Sequence, residues 1–183
     1  LLFMMMLILL KYLLSIKLRI QKKYYTKIAI RKISSYKELP NINFKCIFNG
    51  NTHLGKNCHF NGVIVGGGGR LTIGDNFHSG TSCLMITQNH NINGSALPYD
   101  NTYIFKDITI EDNVGLGSRV IMLGGVTIGE GAVIQAGSVV VSDIPPLSIA
   151  GGHPAAVFSK RESEHYFDLK KIGLFSRWFW FIY

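Results

Sequence analysis

The strongest constraint on this chain is a six-residue repeat between Ile110 and Pro145. Each six begins with a large aliphatic residue and carries a generally smaller one at its fifth position. The first positions hold Ile110, Leu116, Met122, Ile128, Ile134 and Val140, and the fifth hold Val114, Val120, Val126, Ala132, Ser138 and Ile144. This period fits neither a helix nor a plainly alternating strand. It predicts a parallel β-helix, in which short strands point their aliphatic side chains toward one axis.

The same period occupies an earlier stretch of the chain, from residue 42 onward. Its first positions are Ile42, Phe48, Leu54 and Phe60, and its fifth positions are Cys46, Thr52, Cys58 and Ile64. A glycine-rich insert at 66–69 shifts the register by one residue before the repeat continues at Ile73, Ser79 and Met85. Thirteen sixes at three per turn predict a little over four coils. The alternative fold is a two-sheet sandwich, but that fold requires turn signals about every 8 to 12 residues.

One long interruption separates the two repeat blocks. Residues 91–107 lack the repeat, and a loop of this length in a regular solenoid is uncommon unless it has a function. His90 ends the last six before this loop. Asn89 occupies a fifth position, so its polar side chain is predicted to point inward. A polar residue at an inward position breaks the pattern of the repeat, and such departures tend to occur at functional sites. His53, His59 and His78 share the sixth position with His90, so the adjacent loop distinguishes His90 as the candidate catalytic residue.

The positive charge is confined to one end of the chain. The net charge is +8, and residues 1–40 hold nine basic residues and one acidic residue, whereas the remainder is balanced. Residues 1–16 are almost wholly apolar, shorter than the roughly 20 residues of a membrane span, and a basic amphipathic stretch follows them. This arm predicts a helix on an anionic membrane surface. A helix that caps the open end of the solenoid is the alternative, and the two are compatible.

The remaining composition bounds partners and compartment. The balanced body gives no support for nucleic-acid binding. The three cysteines, Cys46, Cys58 and Cys83, all occupy fifth positions, which predicts small core residues in a reducing compartment. The chain divides into a helical arm (1–40), a β-helix domain (41–156) and a C-terminal tail (157–183) that is predicted to be helical and ends in aromatic residues.

Four segments resemble the hexapeptide-repeat acyltransferases. They are I-T-Q-N-H-N at 86–91, I-T-I-E-D-N-V-G-L-G-S at 108–118, G-G-V-T-I-G-E-G-A-V-I-Q-A-G-S-V-V at 124–140, and D-I-P-P-L-S-I-A-G-G-H-P-A at 143–155. The details are most similar to acetyltransferases that modify capsular, exopolysaccharide or lipopolysaccharide sugars, with xenobiotic, maltose and galactoside acetyltransferases as cousins. The resemblance implies an all-β core formed by a left-handed parallel β-helix, a homotrimer, and acetyl-CoA between neighbouring subunits, with no metal.

The resemblance also implies roles for individual residues. His90 would be the general base, with Asp100, Asp107 or a backbone carbonyl orienting its ring. Gly117 and Ser118 would line the thioester end of acetyl-CoA. The remaining donor contacts would come from Ala136, Gly137, Ser142, Lys160 and Arg161, and the acceptor contacts from Asn89, Tyr99, Asp100 and Tyr103. The chain departs from the family pattern at Gly115, where Trp is common, and at His153 and Ala156, which replace Asn and Lys.

These features together predict an acetyl-CoA-dependent O-acetyltransferase acting on a sugar or lipid-linked oligosaccharide during surface-polysaccharide biosynthesis. We expect a cytoplasmic protein, peripheral on the inner face of the cytoplasmic membrane. A γ-carbonic-anhydrase-like metal enzyme is one alternative, but its site needs two histidines five residues apart, and Ser95 stands five residues after His90. A non-catalytic β-helix scaffold is the other, and the long loop counts against it.

Overall fold

The repeats fold into short parallel strands that stack on three faces around one axis. The computed structural model describes residues 2–176. In chain order its strands are β1 (Ser35–Tyr36), β2 (Asn41–Phe44), β3 (Thr52–Leu54), β4 (His59–Asn61), β5 (Ile64–Gly66), β6 (Leu71–Ile73), β7 (His78–Thr81), β8 (Leu84–Ile86), β9 (Gln88–His90), β10 (Tyr103–Phe105), β11 (Ile108–Ile110), β12 (Gly115–Leu116), β13 (Ile121–Leu123), β14 (Thr127–Ile128), β15 (Val133–Ile134), β16 (Val139–Val140), β17 (Ser148–Gly152) and β18 (Ala155–Lys160). Helix α1 (Leu2–Ala29) precedes them and helix α2 (Ser163–Lys171) follows.

Three sheets form the faces of the solenoid. The first face has the order β1-β3-β6-β11-β14, the second β2-β4-β7-β12-β15-β17, and the third β5-β8-β13-β16. Each face is parallel throughout, and β18 adds to the second face as an antiparallel edge strand. The hairpin β9-β10 stands apart as a separate two-stranded sheet. The predicted β-helix with an extruded segment and a helix at each end is confirmed.

The axial core matches the predicted repeat positions. All twelve first and fifth positions from Ile110 to Ile144 are buried, none with more than 4% of its surface exposed. One repeat of six residues forms one face of one coil, and its first and fifth residues point inward. Each face therefore contributes two inward side chains per coil. These side chains stack in columns, which gives the repeat a continuous apolar interior.

The prediction for Ile64 is wrong. Its side chain is 44% exposed, and Val63 and Val65 point inward instead. The corner before β5 is one residue shorter than the others, because buried Asn61 and Gly62 (φ +90°) make a tight turn. The glycine insert at 66–69 then adds two residues, so the net shift of one residue was predicted correctly but its cause was not.

The solenoid is longer than the predicted four coils. The second face has six parallel strands, from β2 to β17. Ser35–Tyr36 already pairs with His53–Leu54, inside the region assigned to the N-terminal arm. At the other end, Ser148–Gly152 continues the second face beyond Pro145 and Pro146. The aliphatic pattern fades in these terminal coils, so the repeat did not mark them, although the predicted β-helix domain at 41–156 includes the C-terminal one.

The outer surfaces of the three faces differ in chemistry. The outward column of the first face is polar, and that of the second is mixed. On the third face the outward column is aliphatic in every coil: Ile47, Ile64, Leu84, Ile121 and Val139 lie in direct register. The second face is partly covered by α2, whereas nothing in the described chain covers the aliphatic column of the third.

The corner between the first and second faces contains an asparagine ladder. Asn57, Asn76 and Asn113 have φ between +53° and +60°, a left-handed conformation that asparagine tolerates better than most residues. Asn57 Nδ2 donates to Asn76 Oδ1, and Asn76 Nδ2 donates to Asn113 Oδ1, each at 2.9 Å. The ladder therefore ties three coils together at the positions where the chain turns.

The three cysteines are free and buried, as predicted for core residues. Burial raises the pKa of each thiol, and it raises that of Cys58 to about 12. A thiol with so high a pKa stays protonated and is a poor nucleophile or metal ligand. The cysteines therefore act as small apolar side chains.

The flanking segments differ in part from the prediction. The last turns of α1 cap the solenoid, because Thr26 and Ala29 are buried against it, as is Ile33 just beyond the helix. No helix among residues 2–176 has the length and hydropathy expected of a membrane span. The tail is not helical from residue 157, since Ala155–Lys160 pairs with β17 before α2 begins at Ser163. The aromatic end at 177–183 lies outside the described residues.

Contacts of the second face lead to a prediction about acid stability. His59 is only 5% exposed, and burial, followed by the neighbouring His78 ring, lowers its pKa to about 4. Below about pH 6.5 the unfolded chain binds a proton on this residue, whereas the folded chain binds it only as the pH approaches about 4. Stability is therefore complete above about pH 6.5 and decreases as the pH falls toward 4. We expect the free energy of unfolding to lose about 1–2 kcal/mol from this residue between pH 7 and pH 5.

Urea unfolding of wild type and His59→Gln at both pH values measures this contribution. The His59→Gln protein should lose less stability on acidification than wild type. His165→Gln, which changes an exposed residue of α2, should behave like wild type. An equal loss in wild type and His59→Gln contradicts the assignment.

Candidate active site

The long interruption of the repeat is a hairpin that projects from the corner between the third and first faces. Strand β9 pairs with β10 in antiparallel register, with His90 opposite Tyr103 and Asn89 opposite Ile104. The predicted loop at 91–107 is outside the repeat, as expected, but it contains strand β10, so the irregular tip covers only 91–102. The apolar run at 103–105 was the sequence signal for the returning strand.

The base of the hairpin is fixed to the solenoid. Thr87 is fully buried, and both its backbone N–H and its Oγ1 donate to the carbonyl of Gly66, at 2.8 and 2.9 Å. Lys106 N donates to Thr87 O at 2.9 Å on the returning side. The glycines of the 66–69 insert lie under this base, where a methyl group on Gly69 would overlap the carbonyl of Thr87. The insert therefore makes room for the hairpin.

Asn89 does not occupy an inward position. Its side chain is exposed because the chain leaves the solenoid at Thr87, two residues before the predicted slot. The prediction that Asn89 breaks the core pattern is therefore wrong. Its place beside His90 on the exposed hairpin leaves its amide accessible to a ligand.

His90 is held by aromatic rings. The Tyr99 ring stacks on the imidazole with centroids 3.7 Å apart and planes 17° apart, and the Tyr103 ring lies 4.7 Å away at 40°. Nδ1 of His90 is buried and has no hydrogen-bond partner within residues 2–176. The imidazole is thus half-buried and oriented by stacking, and Nε2 is the nitrogen left for a ligand.

The carboxylates proposed to orient His90 are engaged elsewhere. Asp100 accepts hydrogen bonds from the backbone N–H and hydroxyl of Ser95 and from the same two groups of Thr102, at 2.5–3.1 Å. The Thr102 hydroxyl, then the backbone groups, hold the pKa of Asp100 well below its usual range. Asp107 accepts from Arg70 N at 2.7 Å. Asp100 therefore organises the hairpin tip, which brings Tyr99 over the imidazole.

The residues predicted to bind the donor form two groups. The first group lies at the corner between the second and third faces and is called the donor corner; it consists of Gly117, Ser118, Ala136 and Gly137. Gly137 N donates to Ser118 O at 2.9 Å. The spacing between coils is tight here, because a methyl group on Gly117 would overlap Ala136 N. Ala136 and Gly137 are exposed, so the corner presents backbone and small side chains to a ligand.

The other predicted donor contacts lie away from this corner. Ser142 is exposed at the far edge of the third face, and Lys160 pairs with Ser148 at the distant end of β17. Arg161 donates from Nε to Gly131 O at 2.7 Å and stacks over Tyr166. The turn between β17 and β18, which contains His153, instead continues the corner, since Gly152 N donates to Ser138 Oγ at 3.2 Å. The resemblance had marked this turn through His153, which departs from the family pattern.

The third face separates His90 from the donor corner within one chain. Strand β13 connects the two edges, and its three residues correspond to roughly 10 Å at the usual rise of a strand. The aliphatic column of the third face lies between them. No hydrogen bond or ring contact within the described part of the chain joins the two groups of residues.

A groove of about 330 Å³ lies elsewhere, on the outer side of the second face below α2. Its walls include His59, His78, Arg161, Tyr166 and Lys170. The gap opens at Gly115, where an added methyl group would meet nothing within 4 Å. Neither His90 nor the four residues of the donor corner line it, so we assign it no role in the chemistry of His90.

Comparison with known proteins gives a consistent result. The bacterial transferase hexapeptide (six repeats) family model matches residues 107–142. Galactoside O-acetyltransferase of Escherichia coli is 36% identical over 130 residues, 68% of this chain and 63% of the relative. A hexapeptide-repeat containing acetyltransferase of Vibrio cholerae, solved with acetyl coenzyme A, is 32% identical with a TM-score of 0.58, and 69% of each chain is covered.

A maltose O-acetyltransferase of Clostridium difficile is 29% identical with a TM-score of 0.58, and the match covers 81% of this chain and 89% of that one. The chain spans 55–63% of the length of the first four curated relatives that it matches.

The role of Asp100 in the hairpin tip is testable. Replacement of Asp100 by Ala removes four hydrogen bonds from residues 95–102 and should loosen the tip without unfolding the solenoid. We expect chymotrypsin to cut within 91–102 at least about ten times faster, while the urea midpoint of the solenoid changes little. Mass spectrometry of the fragments locates the cut.

Asp168→Ala on the exposed side of α2 is the matched control and should leave cleavage of the tip unchanged. An Asp100→Ala protein that is cut at the wild-type rate contradicts the role assigned to this carboxylate.

Proposed function

Because the chain belongs to the bacterial hexapeptide-repeat transferase family, we propose that it is an acetyl-CoA-dependent O-acetyltransferase that modifies a sugar hydroxyl. The observation that carries the proposal is the half-buried imidazole of His90, held by two tyrosines on a hairpin projecting from the solenoid. Galactoside and maltose O-acetyltransferases among the similar proteins support the reaction class. The Vibrio cholerae structure with acetyl coenzyme A supports the donor.

The proposed chemistry begins with proton removal from the acceptor. A sugar hydroxyl is a weak nucleophile, and an imidazole is a suitable base near neutral pH. Nε2 of His90 takes the hydroxyl proton while the oxygen forms a bond to the thioester carbonyl carbon. The carbon–sulfur bond then breaks, and the departing thiolate receives the proton from His90. No covalent acyl-enzyme is needed.

The donor corner has the properties needed for a long, flexible thioester. We propose that the backbone N–H of Ser118 lies near the carbonyl, where negative charge develops during attack, because the N–H of Gly117 already donates to Ile134 O at 2.8 Å. Ala136 and Gly137 expose backbone without a bulky side chain, which suits a pantetheine arm. For the phosphates we favour the turn containing His153 over Lys160 and Arg161, because that turn continues the same corner.

The acceptor is proposed to bind on the exposed side of the hairpin. Tyr99 and Tyr103 are both partly exposed and supply aromatic surface with hydroxyl groups, which suits a sugar ring. Asn89 offers an amide beside His90. Asp100 contributes indirectly, by shaping the tip. We propose that the sugar belongs to a surface polysaccharide or its lipid-linked precursor, and that the enzyme works in the cytoplasm, where buried free cysteines stay reduced.

The separation of His90 and the donor corner supports the proposed trimer. One chain holds the two groups at opposite edges of the third face, so neighbouring chains are needed to bring an imidazole of one to the corner of the next. The aliphatic column of the third face supports this arrangement, because a continuous apolar surface favours burial against another subunit. Closed cyclic symmetry makes every such contact equivalent.

The alternatives have less support. A γ-carbonic-anhydrase-like site needs a cluster of histidines, and residues 2–176 contain no group of three His, Cys, Asp or Glu residues placed to hold a metal. A passive scaffold gives no reason for the hydrogen-bonded hairpin tip that holds two tyrosines around one histidine. Transfer to a hydroxyl accounts for both the hairpin and the exposed corner.

The role of His90 is tested by its replacement with Ala. The variant should fold, assemble and bind coenzyme A like wild type, but its kcat for transfer to a sugar acceptor should fall at least about 100-fold. His165→Ala, which changes an exposed residue of α2, should keep wild-type turnover. Near-normal turnover by His90→Ala would remove this residue from the mechanism.

The trimer is tested by a charge on the aliphatic column. Ile121→Asp places a carboxylate in the middle of the third face and should shift sedimentation from a three-chain to a one-chain species, with loss of transfer activity. Val157→Asp changes an exposed aliphatic residue on β18 and should leave the assembly intact. A wild-type protein that sediments as a single chain at micromolar concentration contradicts the proposal.

A further inference from the structure

The N-terminal part of α1 exposes a large apolar surface. Every large apolar side chain between Phe3 and Ile16 is exposed, including Phe3 at 69% and Leu10 at 62%. The helix has 28 residues, which corresponds to about 42 Å. Soluble proteins rarely leave so large an apolar surface uncovered unless it binds something.

Only the end of α1 is needed to cap the solenoid. Its buried residues, Thr26 and Ala29, lie in the last turns, and partly buried Leu18, Lys22 and Tyr25 extend the same stripe. Nothing in residues 2–176 covers the helix before that stripe begins. The capping role therefore accounts for the part of the helix from Leu18 to Ala29 and leaves the part before it unexplained.

The face of α1 turned away from the solenoid is also apolar and is bordered by positive charge. Ile16, Ile20 and Tyr24 are exposed at four-residue spacing, so they form one stripe. Arg19, Lys23 and Lys27 are exposed along one flank of this stripe. Helix α1 contains six basic residues and no acidic residue. An apolar stripe beside basic side chains is typical of helices that lie at the surface of anionic membranes.

We infer that α1 docks on an anionic lipid bilayer, with its apolar side chains among the acyl chains and its basic side chains among the headgroups. Charge favours this occupant over a second copy of the helix, because pairing two copies would bring twelve basic side chains together without an acidic partner. Headgroups of anionic lipids neutralise these charges. The docking is independent of the acetyl transfer.

Docking by α1 has a geometric consequence that rests on the proposed function. Helix α1 packs against β2, and the hairpin with His90 leaves the solenoid after β8, two coils further along. Two strand spacings correspond to about 10 Å. The imidazole is therefore held close to the membrane, where the sugar of a lipid-linked acceptor is accessible.

Flotation of the full chain with lipid vesicles tests the docking. Wild type should float with vesicles of phosphatidylcholine and phosphatidylglycerol, bind phosphatidylcholine alone far more weakly, and detach in part at high salt. Neutralising Lys17, Arg19, Lys23 and Lys27 to Gln should weaken binding to the mixed vesicles at least about 100-fold. Replacing Leu9, Leu13 and Ile20 by Gln should also abolish flotation, because it removes the apolar contribution.

A matched control removes the same charge from residues outside α1. Lys45, Arg70, Lys106 and Lys171 are exposed, and their replacement by Gln should leave flotation unchanged. The proposal is overturned if wild type does not float with mixed vesicles, or if the two sets of lysine and arginine substitutions weaken binding equally. It is also overturned if wild type forms assemblies larger than three chains without lipid and the Leu9, Leu13 and Ile20 substitutions abolish those assemblies. Vesicle binding by the inactive His90→Ala protein should equal that of wild type, which separates docking from catalysis.

Discussion

Axial burial of two side chains per face in every coil is the interaction on which the rest of the structure depends. Inward residues such as Ile110, Met122 and Ile134 are almost completely removed from solvent, and each stacks on the equivalent residue of the next coil. Burying one aliphatic side chain stabilises a protein by about 1.5–3 kcal/mol, so the columns supply most of the favourable free energy. Strands of only two or three residues are stable because the strands of the coils before and after them share the same core.

The columns also restrict where the chain can depart from the repeat. A corner can be shortened, as at Gly62, or lengthened, as at the 66–69 insert, provided that the inward side chains return to their columns. The hairpin with His90 is the largest such departure. It leaves after β8 and rejoins at β11 without disturbing either column, so a functional element can project from a rigid support.

Much of the fold followed from the sequence because the six-residue period has a single geometric interpretation. The period placed twelve inward residues between Ile110 and Ile144 correctly, and it located the segment that carries His90. Ile64 was misplaced because periodicity does not reveal which corner loses a residue. The terminal coils were missed because their strands carry polar residues such as Ser35 and Ser148, which the pattern did not mark.

The site was harder to predict than the fold, because its geometry depends on hydrogen bonds outside the repeat. The sequence singled out His90 as the candidate base and the small residues of the donor corner as candidate donor contacts. It did not reveal that Asp100 binds Ser95 and Thr102 and so positions Tyr99 over the imidazole. Asn89 was selected on a false premise, since it was assigned to the core. Residues that act through irregular backbone leave no periodic signal.

The central claim is that one chain holds only half of an active site, with His90 at one edge of the third face and the donor corner at the other. Mixed assembly of two inactive variants tests it most directly. His90→Ala removes the base, and Ala136→Trp fills the donor corner. If the site forms between subunits, random mixing of equal amounts should restore about one quarter of wild-type activity, because one quarter of the interfaces pair an intact His90 with an intact corner. Activity no higher than that of either variant alone would contradict the account.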